Sequence, residues 1–267
     1  MQVYRYMDIG TAKPSTAERA HLPHHLLDLV EPCCQFNAGQ FVKAAEALVT
    51  EIGGRGRVPV VSGGTAFYIR SFLYGMPEAP PGSPEARERL RERETREGRG
   101  ALYEELCRRD PLAASRIQPN DGYRILRALE ILEASGRSVF SFLWPSTLRQ
   151  DFRFLLIGLD REREELYRRI DERVGRMFDS GLVAEVKGLI AMGYGPSDPG
   201  MRGIGYREFL EMQRGCATLA GVREQIARAS RRYAKRQLTF FRAIEGVQWI
   251  HPDDRRALQS LVSAFIG

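Results

Sequence analysis

The chain has 267 residues, 43% apolar and 28% charged, with a formal net charge of +6 and a pI near 9.3. That length suffices for one substantial core with an insertion or for two small domains. No apolar run approaches the roughly 18 residues of a membrane span and the opening residues lack a secretory pattern, so a cytoplasmic protein with no membrane partner is expected.

Four scattered cysteines, Cys33, Cys34, Cys107 and Cys216, do not make a disulfide scaffold, and vicinal Cys33-Cys34 lacks metal-ligand spacing. All four read as reduced and non-catalytic. In chain order, Gln2, Val3 and Tyr4 read as the far end of a buried strand, and Gly10-Thr11-Ala12-Lys13-Pro14 as a loop shaped for close backbone approach. His21, His24 and His25 cluster without metal spacing and read as structural or capping residues. Strands are predicted at 25–30, 58–62, 152–159 and 247–251. The runs at 58 and 152 are apolar almost throughout, which suits a parallel sheet covered on both faces. Helices are predicted at about 38–52, 66–73, 161–190 and 223–243, and the alternation argues an α/β fold. Residues 75–150 break it: a Pro-rich hinge, MPEAPPGSPEA, leads into charged helices that read as a helical insertion, with 85–99 a solvated face.

Three segments carry candidate chemistry. In VPVVSGGTAFYIR, Gly63-Gly64 ends a strand and Thr65 stands near a helix N-cap, which is either an anion-facing site or a tight turn with a capping Thr. In the helix from 161, Leu166, Ile170, Val174 and Met177 form an apolar stripe beside Arg169, Arg173 and Arg176. Glu165 is placed to pair with Arg169 and Glu172 with Arg176, leaving Arg173 least neutralised and open to phosphate or solvent. Residues 223–242 hold seven basic residues against one acid. There Arg228, Arg232, Lys235, Thr239 and Arg242 share a stripe of about 21 Å that calls for an anionic partner, while Tyr233, Phe240 and Phe241 read as core.

Taken together, MQVYRYMDIGTAKP, PHHLLD, VPVVSGGTAFYIR, IQPNDGYRILRALEI, LDREREELYRRIDERVGRMFDSGLVAEV, MRGIGYREF and RRYAKRQLTFFR resemble the tRNA dimethylallyltransferase (tRNA isopentenyltransferase) family, in order and over nearly the whole chain. The resemblance implies a P-loop NTPase-like parallel-sheet α/β core, residues 1–75 and 151–267, with an inserted helical domain at 76–150. It implies transfer of a dimethylallyl group from dimethylallyl diphosphate to the exocyclic amine of an adenine beside the anticodon, the base being flipped into a channel. By motif, Thr65 and Arg173 are the catalytic candidates, Arg173 holding the diphosphate with Mg2+ assisting. Met1, Gln2, Thr65, Arg87, Tyr123, Arg124, Ile125, Leu126, Arg127, Arg202, Gly203, Ile204, Gly205, Tyr206 and Arg207 would meet the tRNA anticodon stem-loop, joined by Arg228, Arg232, Lys235 and Arg242 of the basic stripe; the protein is expected to be a monomer.

Family members carry a strand, a glycine-rich phosphate loop, a helix and a strand ending Asp-Ser ahead of the match to MQVYR. The expectation is therefore a biological protein longer by at least roughly 30 residues, with no phosphate-loop residues in the present chain. Two alternatives stand beside the transferase: a small-molecule kinase with a related core, and a non-catalytic RNA-binding remnant.

Overall fold

A computed structural model describes residues 1–213, 215 and 218–267; Cys216, read above as a reduced thiol, lies outside them. Helix α1 (Thr16–His21) opens with a capping box in which the Ser15 hydroxyl accepts from the Glu18 amide and the Glu18 carboxylate accepts from the Ser15 amide. Asn37 and Gln40 do the same for α2 (Ala38–Gly54). Helix α3 (Ala66–Tyr74) follows, then α4 (Pro84–Glu97), α5 (Arg99–Arg109), α6 (Pro111–Ala114) and α7 (Gly122–Ser135). The remaining elements are β1 (Ile157–Leu159), α8 (Arg163–Asp179), α9 (Leu182–Ala191), α10 (Arg207–Gln213), α11 (Leu219–Phe241), β2 (Gln248–Ile250) and α12 (Arg255–Ile266).

The chain divides into two compact units, Met1–Phe72 with Gln150–Gly267, and Leu73–Arg149. The second is built on α4 to α7, whose apolar faces bury Leu90, Leu102, Leu106, Ile125 and Leu129. Its last helix stops where Gly136 takes the left-handed conformation. The core of the first unit joins Val174 of α8, Leu182, Val186 and Leu189 of α9, and Val222 and Ile226 of α11 to Tyr4, Met7, Met201 and Tyr206. It thereby ties the N-terminal segment to helices nearly 200 residues away. No helix among the described residues is long and apolar enough to cross a membrane.

Several predicted elements change. The long helix at 161–190 is two, because Gly181 at φ 100° breaks the ladder between α8 and α9. Only β1 of the 152–159 run pairs, in parallel with β2, Gly158 opposite Trp249; Phe152 and Phe154 pack instead as rings with Phe72. The strand at 25–30 shrinks to a parallel bridge between Tyr4 and Val30, since Leu26 and Asp28 have φ of 60° and 54°, outside extended geometry. Residues 58–62 form no strand: Val60 is 85% exposed, and among the described residues no ladder pairs with the segment. An apolar run becomes a strand only when another backbone satisfies its amides and carbonyls.

Candidate active site

The N-terminal loops and the C-terminal half of α8 enclose an open cleft of about 950 Å³. One wall is the 5–19 segment, with Arg5, Tyr6, Asp8, Ile9, Ala12, Lys13 and Arg19; the other is Arg173, Arg176 and Met177. Tyr6 and Ala12 adopt φ of 63° and 48°, conformations that L-residues hold only under constraint. Part of that constraint is Lys13. Its side chain is buried, and its ammonium donates to the Tyr4 carbonyl at 2.9 Å and to Asp8 and Asp28, each at 2.6 Å. Arg19 takes the other Asp28 oxygen at 3.0 Å, and Arg5 pairs with Glu31 at 2.9 Å. Although burial pushes the Asp28 carboxyl up, Lys13 and Arg19 hold it below the usual carboxylate range.

These pairings use up the carboxylates of the cleft, and Arg173 and Arg176 are left without an ion-pair partner among the described residues. Surrounding protein and the neighbouring Arg176 charge depress the Arg173 guanidinium from its ordinary value. Its side chain nonetheless keeps solvent access at the cleft. A planar cation with fixed donors and no counter-charge, beside a second cation, offers charge-assisted hydrogen bonds to an anion. Of the pairs expected on α8, Glu165 meets Arg169 at 2.8 Å. The second is corrected: Glu172 lies 3.9 Å from Arg168, so Arg176 joins Arg173 as a free cation.

Thr65 is exposed, and its carbonyl opens α3 by accepting from the amides of Tyr68 and Ile69. The preceding Gly64 carbonyl accepts from the Gln237 amide at 2.7 Å and the Tyr233 hydroxyl at 3.1 Å, docking the Gly-Gly-Thr turn onto α11. A Cβ on Gly64 would fall 1.8 Å from Gln237 Nε2, so any larger residue there would displace the Gln237 amide that holds the turn. Tyr233 is thus a surface donor and not the core residue expected; Phe240 and Phe241 are half-buried and meet edge to face.

The basic stripe is partly neutralised. Arg228 pairs with Glu224 at 2.8 Å, and Arg242 with Asp160 at 3.1 Å while lying over the Trp249 ring. Arg232 and Lys235 have no ion-pair partner among the described residues. Sequence spacing shows acids on the same helix but not Asp160, which arrives from the end of β1.

Within the helical unit, Tyr123 and Arg124 are exposed, Leu126 is half-buried, and Ile125 is fully buried in the core. A direct RNA contact by the Ile125 side chain is therefore corrected to a packing role. Arg87 and Arg127 both converge on buried Glu130, so both cations are already paired within the unit. In the first unit Met1 is exposed, while Gln2 donates to the Thr11 and Ala12 carbonyls and so steadies the cleft loop. Arg202 is exposed and held by the Pro196 and Ser197 carbonyls, and Arg207 pairs with Glu208. Gly203 and Ile204 are half-buried. Gly205 is buried at φ 97°, and its amide donates to Glu208. Tyr206 is also corrected: its ring is wholly buried and its hydroxyl donates to Glu185 at 2.7 Å, which gives its side chain a packing role. Sequence reasoning missed Gln237 and Glu185, and assigned Arg176 a partner, Glu172, that lies nearer Arg168. The only signals were the i, i+4 spacing of Tyr233 and Gln237 and an acid set among Leu182, Val186 and Leu189.

The model of the IPP transferase family matches residues 2–244. A tRNA dimethylallyltransferase of Geobacter sulfurreducens is 41% identical over 269 residues, covering 100% of this chain and 86% of that protein. One from Anaeromyxobacter dehalogenans is 45% identical over 252 residues, 94% of this chain and 84% of its own. Among solved structures, the full-length tRNA isopentenylpyrophosphate transferase of Bacillus halodurans matches with a TM-score of 0.69 at 35% identity, over 99% of this chain and 85% of that one. A eukaryotic dimethylallyltransferase described as acting on tRNA matches with a TM-score of 0.78 at 27% identity, over 99% and 68%. The fold is accordingly the P-loop NTPase-like α/β fold of these neighbours, with a small parallel sheet.

Proposed function

The chain belongs to the IPP transferase family, and from that membership we propose that it transfers a dimethylallyl group from dimethylallyl diphosphate to the exocyclic amine of the adenine beside the anticodon of tRNA, with Arg173 and Arg176 receiving the diphosphate. The observation that carries the assignment of the cleft is the pair of uncompensated guanidiniums facing loops whose own charges are already matched. As the allylic C–O bond breaks, negative charge grows on the departing diphosphate. Cations already in place stabilise that charge without reorganising at the moment of reaction.

In this reading Thr65 meets the flipped base, Gln237 and Tyr233 hold its turn, and Arg232 and Lys235 contact the RNA backbone. Tyr123, Arg124, Arg202 and Arg207 are the further RNA contacts. Residues 1–75 and 151–267 form the catalytic core and 76–150 a helical insertion, and the enzyme works as a cytoplasmic monomer. Magnesium belongs to the reading as a counter-ion of the diphosphate. Asp8 and Asp28 are committed to Lys13, and no group of three or more potential ligands gathers among the described residues. Magnesium is held chiefly by water and substrate phosphates with one or two carboxylates, so in this reading it arrives with the diphosphate. The kinase alternative is set aside by the family match over residues 2–244 and by the activity that the relatives' names carry.

The test is mass analysis of nucleosides from tRNA incubated with the protein and dimethylallyl diphosphate. A prenylated adenosine that disappears with Arg173→Ala at limiting diphosphate is expected. Binding of tRNA with no prenylated nucleoside would instead support the non-catalytic RNA-binding reading.

A further inference from the structure

We propose that Glu185 is the positioning residue of the diphosphate cleft, fixing the 8–10 turn as one of its walls. Three successive backbone amides, those of Asp8, Ile9 and Gly10, point at its carboxylate, at 2.8 and 2.7 Å to Oε2 and 3.1 Å to Oε1. Consecutive amides aimed at one point form a concavity that binds anions. Here the anion is the protein's own, delivered from the first turn of α9 across more than 170 residues of sequence. The fourth donor is the buried Tyr206 hydroxyl, at 2.7 Å to Oε1. Its ring also closes the other side of the turn: a Cβ on Gly10 would fall 2.5 Å from Tyr206 Cζ.

The turn so held belongs to the cleft wall. Asp8 and Ile9 line the cleft directly, and Ala12 and Lys13 follow within one further turn of chain. With Tyr6 and Ala12 in left-handed conformations on either side, the segment would relax without outside ties. Lys13 anchors it from below and Glu185 from the α9 side. Glu185 is not on the cleft and acts on the substrate only through the wall. The proposal rests on the cleft receiving diphosphate, as argued above.

Glu185→Gln preserves size but replaces one acceptor oxygen with an amide that cannot accept from a backbone N–H. The measurement is binding of inorganic pyrophosphate by the full protein, with steady-state kinetics varying each substrate in turn. Arg173→Ala is the control for the cleft. Each carboxylate oxygen accepts two of the four bonds, so Glu185→Gln loses two whichever oxygen is replaced; expected is at least about a tenfold weaker pyrophosphate affinity and a similar rise in KM for dimethylallyl diphosphate. KM for tRNA should stay within about twofold, and hydrogen exchange at residues 8–10 should be faster. Tyr206→Phe, which leaves the three backbone bonds in place, should shift the same quantities in the same direction by less. If Arg173→Ala weakens pyrophosphate and neither Glu185→Gln nor Tyr206→Phe does, the positioning role is overturned while the cleft stands. Losses shared equally between both substrates would reduce Glu185 to general stability and also overturn it. If Arg173→Ala itself leaves pyrophosphate binding unchanged, the cleft reading falls and the positioning role with it.

Discussion

Arg87 and Glu130, 43 residues apart in sequence, meet in a two-pronged pair, Nε to Oε1 at 2.6 Å and a terminal nitrogen to Oε2 at 3.0 Å. The Glu130 side chain is only 2% exposed, and Arg127 supplies its second cation at 3.2 Å. Removing one partner of a buried pair strands the other charge. Because Arg127 remains, Arg87→Ala should destabilise the helical unit by about 2 kcal/mol, the scale of a hydrogen bond to a charged group. Chemical denaturation would check it. Because Glu130 serves both cations, Arg87→Met, Arg127→Met and Glu130→Leu together should recover most of the loss; if the triple variant is no better than Arg87→Ala, the cost is not a stranded charge.

Arg173→Ala should raise KM for dimethylallyl diphosphate roughly 10- to 100-fold, the range of one to two charge-assisted hydrogen bonds. Arg176→Ala should act in the same direction. Affinity for tRNA should barely move. Kinetics with each substrate varied separately distinguish this from an RNA contact, in which the losses would be confined to tRNA.

The stripe on α11 should act unevenly. Arg232→Gln and Lys235→Gln should each flatten the slope of log affinity against log salt by about 0.7 to 0.9, one neutralised phosphate apiece. Arg228→Gln and Arg242→Gln should change it less, since Glu224 and Asp160 already match those charges. Binding isotherms at several salt concentrations are the measurement, and equal effects from all four would contradict the pairing seen here. Thr65→Ala should leave the slope alone and slow transfer at saturating tRNA.

Asp28 sets a pH dependence. Its carboxyl titrates below the ordinary value because Lys13 and Arg19 outweigh the opposing effect of burial. A folded-state value below the unfolded one, near 3.9, means the contribution is complete above about pH 4 and is lost as pH falls through the folded value. The gap in unfolding free energy between the parent protein and Asp28→Asn should be widest at neutral pH and should close in acid. A gap that does not change with pH would show that Asp28 acts through packing instead of charge.

Much of the helical content is local information. Ser15 with Glu18, Asn37 with Gln40, and Ser83, Asp121 and Thr218 each cap a helix within three residues of themselves, so a short window of sequence contains both partners. The amphipathic period of α8 likewise identifies its buried face, and the ordered motifs mark the family. Strands are not local in this sense. Apolar composition is common to the run at 58–62, which stays unpaired, and to Ile157–Leu159, which pairs with Gln248–Ile250.

What the sequence alone determined is therefore the family, legible from ordered motifs along nearly the whole chain, and the helices, their caps and the unneutralised character of Arg173, which depend on neighbours three or four residues away. The tertiary structure decided which charges are spent: Asp160 on Arg242, Glu130 on Arg87, Glu185 on the amides of the 8–10 turn. Each of those partners is brought in by chain closure within its own unit. Electrostatic energy depends on separation in space and on burial, neither of which residue spacing encodes beyond a turn of helix.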